Sequence, residues 1–269
     1  MPAPPPPSVP TPKGCNHVRL ENEEPLRVGG AFLYLLMLKE ILKLLVAKAV
    51  PAQCLSCNLP GTYLCADCQG YLPYLEQTLC PVCTRAAVDG FTHPRCRSRY
   101  APDRLFVPFR YYGVMGAAVR KLKYRAVTAL ADFLAGLLVE EMLESGFEFG
   151  RGALLVPVPL HPVKQLERGY NQSEILARSL GRMLKVELAN GALKRIRETP
   201  PQTKLKGKER EKNVRGAFGV DKKRDTLFRG KDIILVDDVF TTGATLRECS
   251  RVLKKAGARF IYLLAVAKD

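Results

Sequence analysis

The run from Ile233 to Thr245, IILVDDVFTTGAT, limits what this chain can fold into more than any other stretch. Four consecutive aliphatic residues, mostly β-branched, predict a strand covered on both faces, as in a parallel sheet. The two carboxylates that come next then sit where the strand leaves the sheet. Beyond the small residues, LRECSRVLKKAGA has helical spacing, with Leu246, Val252 and Leu253 on one side and Gly257 placed to end the helix. The unit reads as strand, acidic turn, small-residue loop, helix.

A small-residue loop at a helix N-terminus is a phosphate site on physical grounds. Unpaired backbone N–H groups and the positive end of the helix dipole converge there, and Gly243 lets an oxygen approach the backbone closely. The hydroxyls of Thr241, Thr242 and Thr245 add donors. No lysine follows the glycine, so this is not a Walker A loop. Asp237 and Asp238 would repel a free polyphosphate, but sugar hydroxyls donate to carboxylates, so a ribose carrying a 5′-phosphate satisfies both halves. The plain alternative is an acidic turn followed by a threonine N-cap.

Strands expected at LFVPFRYYG, ALLVPVPL, IILV and FIYLLAVA alternate with helices, including a long amphipathic region from Ala117 to Ser145 and another at NQSEILARSLGRMLK. That alternation predicts an α/β domain over 101–269 with a mostly parallel sheet flanked by helices. Residues 1–30, proline-rich and polar, read as a disordered tail. Residues 31–50 have the length of a membrane span, but Lys39, Glu40, Lys43 and Lys48 interrupt them, which predicts an amphipathic helix instead. The preceding acids and the lack of a small-residue cleavage site argue against a signal peptide, and a cytoplasmic protein is expected. The net charge of +16 over 269 residues predicts an anionic partner without selecting which.

Between residues 51 and 100 lie Cys54 and Cys57, Cys65 and Cys68, Cys80 and Cys83, and His93 and Cys96, each pair separated by two residues. This is zinc-knuckle spacing, in which a tight turn aims two ligands at one tetrahedral ion. The eight ligands suffice for two structural zinc sites. Cys54, Cys57, Cys65 and Cys68 form one four-thiolate set by spacing, although an ion could instead join alternate knuckles. Cys15 and Cys249 lack partner spacing and read as a tail thiol and a helix core residue.

Taken in order, the knuckles, LKYRA, VPVPLHP, ERGYNQ, TPPQTKLKGKEREKNVRGAF and the acidic-threonine loop resemble the ComF family of competence-associated proteins, a double zinc ribbon followed by a type I phosphoribosyltransferase domain. The resemblance runs from about Leu38 to the C-terminus. It implies that Asp237 and Asp238 engage the ribose hydroxyls of phosphoribosyl pyrophosphate (PRPP), and that Thr241, Thr242, Gly243, Ala244 and Thr245 wrap its 5′-phosphate. Successive strand residues point to opposite faces, so the two acids should contribute unequally. Family members often carry cysteine where His93 stands, and histidine is a competent zinc ligand.

The same resemblance makes Val158, Pro159, Leu160 and His161 the pyrophosphate loop, with Arg168 beside it to neutralise pyrophosphate oxygens; His161 itself reads as an exposed polar residue rather than a catalytic one. Asn171 and Gln172 either face that loop or cap the next helix. The segment from Lys194 to Arg215, with nine Lys or Arg against three Glu, corresponds to a loop that closes over PRPP, and Arg210 and Arg215 join Arg168 as its catalytic candidates. After LKYR the family places a glycine where this chain has Ala126, leaving roles for Lys123 and Arg125 open.

The activity this resemblance implies is Mg²⁺-dependent phosphoribosyl transfer to a nitrogen nucleophile with release of pyrophosphate, associated with natural competence. The alternative is a non-catalytic factor of the DNA-uptake machinery that senses PRPP or binds single-stranded DNA, with Tyr111, Tyr112 and Tyr124 as stacking residues. A third reading makes the ribbon an interaction module for a partner ATPase or helicase, with a peripheral place at the inner membrane and no transmembrane segment.

Overall fold

The computed structural model describes residues 52–124, 128–197 and 207–269, without the side chains of 124, 128, 207, 208, 210, 222 and 223. The expected tail over 1–30, the helix over 31–50, Cys15, Arg125, Ala126 and the TPPQT run lie outside the described residues.

The aliphatic run behaves as its composition dictates. It lies in the first half of strand β7 (Asp232–Phe240), and Ile233, Ile234, Leu235 and Val236 are completely buried. On either side of it lie β3 (Leu154–Pro157) and β8 (Phe260–Lys268), both parallel to it. Strands β1 (Arg104–Phe106) and β2 (Phe109–Arg110) follow β8 on one edge, and β4 (Glu187–Leu188) pairs with β3 on the other, giving a six-stranded sheet whose pairings are all parallel. The stretch LFVPFRYYG is therefore two short strands rather than one. Pro108 has no N–H for the ladder, and its carbonyl instead accepts from Leu75 N at 2.7 Å.

Each face of the sheet has its own hydrophobic layer, because alternate residues of β7 point opposite ways. Ile234 and Val236 pack with helices α1 (Gly113–Tyr124), α2 (Thr128–Glu144) and α4 (Gln172–Leu184). Ile233 and Leu235 pack with α6 (Ala244–Lys255) and a separate antiparallel pair, β5 (Leu193–Arg195) and β6 (Phe218–Val220). Cys249 lies at 0% exposure in this second layer, a helix core residue as its spacing suggested. Helix α2 departs from the amphipathic expectation: Leu130, Ala131, Leu134, Ala135, Leu137, Leu138 and Met142 are buried, and Phe133 and Val139 are half-buried against the same core. Its outward side carries Ala129, Gly136 and Leu143 among the charged residues, so the contrast between its faces is weak. Short helices α3 (Pro162–Arg168) and α5 (Gly207–Val214) complete the described α-helices of this part, beside a 3-10 helix at Lys222–Phe228. The basic segment joins β5 to β6, outside the main sheet.

The cysteine-rich residues add two similar loops. In each, the first cysteine pair forms a knuckle closed by a backbone bond, Asn58 N to Cys54 O and Thr84 N to Cys80 O, both at 2.9 Å, with Asn58 and Thr84 left-handed at φ 64° and 58°. The second pair of each set instead rides on a single helical turn, Ala66–Gln69 or Pro94–Cys96. This module has no core of its own. Cys54, Leu64, Cys65 and Leu72 belong to the same layer as α1 and α2, and Arg110 N donates to Pro73 O at 2.7 Å. Residue 100 thus separates two chemistries rather than two hydrophobic cores. No helix among the described residues is long and apolar enough to cross a membrane.

Candidate functional site

Strand β7 does not stop before the acids. Its ladder with β8 continues through Asp237–Ala265, Val239–Ala267 and Phe240–Lys268, so Asp237 and Asp238 are strand residues and the expected acidic turn is absent. The reason is that β8 is equally long and supplies backbone partners to the end. Strand periodicity then gives the two carboxylates different partners. Asp237 Oδ1 accepts from Ser173 Oγ and from Asp238 N, both at 2.9 Å. Asp238, only 4% exposed, places Oδ2 3.2 Å from Lys123 Nζ.

Burial and then the neighbouring Asp238 charge push the Asp237 carboxyl up to about 7, against the Ser173 hydroxyl, the Asp238 N–H and Lys123, which favour its ionised form. Two carboxylates with few donors between them form a site that favours incoming hydroxyl or cationic groups. Arg195 on β5 lies within electrostatic reach: burial lowers its guanidinium pKa, with Cys249 and Asp237 opposing.

The loop after β7 leads into α6 through Gly243, whose φ of 72° is left-handed. A Cβ there would stand 2.7 and 2.8 Å from the Phe240 ring and 2.9 Å from Arg247 Nη1. Both conformation and space thus require glycine. Gly243→Ala is expected to destabilise the protein by roughly 2 kcal/mol, read as a lower urea midpoint at unchanged slope. An unchanged midpoint would show that the loop adjusts freely.

Asp237, Asp238, Thr241, Gly243, Ala244 and Thr245 line one cavity of about 290 Å³ together with Tyr111, Lys123 and Asp269. Thr242 turns to an adjacent cavity shared with Val82, Glu211 and Arg247. The other sequence candidates lie around this centre. Val158 is tied to β7 by Val158 N donating to Val236 O at 2.9 Å, and it accepts from Asn171 Nδ2 at 3.0 Å. Asn171 Oδ1 also accepts from Ser173 N at 3.1 Å, so Asn171 is the cap of α4, and that cap places Ser173 against Asp237. Pro159 and Leu160 continue to His161, which caps α3 through a weak 3.4 Å contact from Val163 N. Arg168 donates to Gln172 Oε1 at 3.1 Å, and neither lines the acid and threonine cavity. Arg215 lines a different cavity, of about 570 Å³, beside Tyr100, Glu248 and Arg251. The Arg210 side chain lies outside the described residues.

Lys123 is the residue that sequence reasoning left open and the fold brings in. Tyr170 of ERGYNQ donates its hydroxyl to Leu122 O at 2.8 Å, which anchors the end of α1 next to the acids. Ser173, Arg195 and Arg247 were missed altogether. The signal for Ser173 was its position two residues after a cap; Arg195 and Arg247 lay unmarked among many basic residues.

The two cysteine sets match consecutive pairs. Cys54, Cys57, Cys65 and Cys68, and separately Cys80, Cys83, His93 and Cys96, each bring their ligand atoms within 4.8 Å of one another. His93 Nε2 lies 2.9 Å from Ala86 O, which makes it the donor and leaves Nδ1, 3.3 Å from Cys83 Sγ, facing the set. That orientation through an outer carbonyl is the usual support for a metal-bound imidazole. Three thiolates with one imidazole, like four thiolates, suit tetrahedral zinc.

Comparison with known proteins finds relatives over most of the chain. Residues 166–269 match the family model described as phosphoribosyl transferase domain. The chain is 28% identical over 224 residues to competence protein F of Haemophilus influenzae, covering 77% of this chain and 97% of that protein. It is 29% identical over 227 residues to the DNA utilization protein YhgH of Escherichia coli, covering 81% and 98%. With competence protein ComFC of Bacillus subtilis the identity is 27% over 212 residues, covering 74% and 80%.

Proposed function

We propose that this chain, similar over most of its length to competence proteins F and ComFC, binds PRPP with Mg²⁺ and transfers the phosphoribosyl group to a nitrogen nucleophile in the service of competence and DNA uptake. The observation that carries this reading is the shared cavity, in which two strand carboxylates, one raised to about 7, open beside a glycine-capped helix N-terminus. Ribose hydroxyls would donate to Asp237 and Asp238 and relieve their mutual repulsion. Backbone N–H groups and hydroxyls from Thr241 to Thr245 would take the 5′-phosphate.

Lys123, paired with Asp238, supplies a cation at the edge of the same cavity and can move toward pyrophosphate as the diol takes its place. Pyrophosphate is already a good leaving group, so the residues mainly orient the sugar, exclude water and offset charge. The two acids fit a magnesium ion only in part, since they offer two ligands of the six that it prefers; Mg²⁺ would be held mostly by the ligand's own oxygens and would supply charge neutralisation. Arg168, Arg210 and Arg215 remain candidates for contact with pyrophosphate in a closed form.

A second reading, in which the site senses PRPP or the basic surface holds single-stranded DNA without turnover, is favoured by Arg168 and Arg215 standing outside the cavity. The deciding experiment is calorimetric titration of PRPP with Mg²⁺, followed by pyrophosphate release in the presence of candidate bases. Saturable binding with release supports the transferase, binding without release supports the sensor, and absence of binding ends both forms of the PRPP reading.

A further inference from the structure

Resting on the reading of the loop as a phosphate site, we propose that Arg247 is a positioning residue that couples the second cysteine cluster to that loop. Arg247 stands on the first turn of α6, and its guanidinium serves three elements at once. Nη1 donates to Thr242 O at 2.6 Å and to Val82 O at 3.3 Å, while Nη2 donates to Glu211 Oε1 at 2.5 Å. Thr242 belongs to the phosphate loop, Val82 lies between the ligands Cys80 and Cys83, and Glu211 is on α5 of the basic segment. The side chain is 19% exposed, so these bonds are partly shielded from water.

The geometry gives each bond a consequence. In a trans peptide the carbonyl and the following N–H point in opposite directions, so holding Thr242 O also sets the direction of Gly243 N–H. That N–H is among the groups expected to meet a phosphate. The guanidinium lies so close over Gly243 that a Cβ there would be 2.9 Å from Nη1, so loop and clasp share one packed arrangement. On the other side, Val82 O is presented by a knuckle whose shape depends on its two cysteines meeting one ion. Order in the cluster therefore favours order in the loop, and the reverse must hold to the same extent because coupling is reciprocal. A lysine could keep the charge but not the planar fork that reaches three acceptors.

Hydrogen–deuterium exchange on the full-length, zinc-loaded protein tests this without reference to turnover. In the wild type, PRPP with Mg²⁺ is expected to slow exchange in residues 241–247 and also, by about fivefold, in residues 80–96. In Arg247→Gln and in Arg247→Lys, at PRPP raised until residues 241–247 are protected, the protection at 80–96 should disappear. Protection of 241–247 with no change at 80–96 in the wild type, or unaltered protection at 80–96 in either variant, overturns the proposal. If PRPP protects nothing, the binding reading itself has failed and the ligand-free comparison decides: Arg247→Gln should then speed exchange at both 241–247 and 80–96 by about fivefold, and no change there overturns the coupling as well.

Discussion

Replacing Asp237 and Asp238 together by asparagine is expected to weaken PRPP binding by about 30-fold, since each of two charge-assisted hydrogen bonds loses roughly 1 kcal/mol when its acceptor becomes neutral. The same change should make the folded chain more stable, and pH separates this effect from general damage. Asp237 titrates near 7 in the folded protein against 3.8 for an ordinary side chain, from burial first and the Asp238 charge second. Below the ordinary value the group is protonated in both folded and unfolded chains. Between the two values the folded chain keeps a proton that the unfolded chain has lost, so stability falls as pH rises, and above about 7 the full penalty is present.

Asp237→Asn alone should therefore gain on the order of 2 kcal/mol over the wild type at high pH, a gain that vanishes near the ordinary aspartate value. Thermal melts across that range and calorimetry with PRPP supply the two readings. Undiminished affinity in the double variant would remove the acids from the ligand site. A stability difference that does not vary with pH would mean that Asp237 ionises normally.

Stripping metal from the cysteine sets is expected to have the largest effect on stability. A structural zinc site contributes apparent binding energy of ~10 kcal/mol or more in small domains. Here the consequence should extend past the cysteine-rich residues, because Cys54, Leu64, Cys65 and Leu72 pack in the layer formed by Met115, Val119 and Leu134. Metal-loaded protein should contain two zinc ions per chain, one for each set, and melt in one transition. Chelation should lower that transition by about 10 °C or more and expose surface from α1 and α2. Cys65→Ser should reproduce much of the loss. A melt that keeps its main transition after chelation, with only a minor low-temperature step, would show that the module is energetically separate despite the shared core.

How far the site could be read in advance depended on how local its physics is. The run Ile233 to Val236 specified a doubly covered strand, and it is buried on both faces. Gly243 at a strand-to-helix passage specified a close approach, and the structure gives it both the left-handed backbone and the crowding. Cysteine spacing specified the knuckles but left open which of them share an ion, and the fold brings consecutive pairs together. The end of β7 was misjudged because acids usually leave a sheet, whereas here β8 provides a ladder partner through Lys268. The apolar residues of α2 did not reveal which side is covered, since Leu143 stands in solvent while Leu137 and Leu138 are buried by neighbouring elements.

By itself the sequence determined the elements whose causes lie within a dozen residues: the buried strand, the glycine-capped loop and the paired thiolates. Only the tertiary structure decided which distant groups converge on them. Lys123 reaches Asp238 across more than a hundred positions, Ser173 reaches Asp237 through a helix cap, and Arg247 joins Val82 to Thr242. Lysine, serine and arginine carry no pattern that marks such roles, because a side-chain hydrogen bond depends on position in space, and that is set by how the sheet stacks its layers.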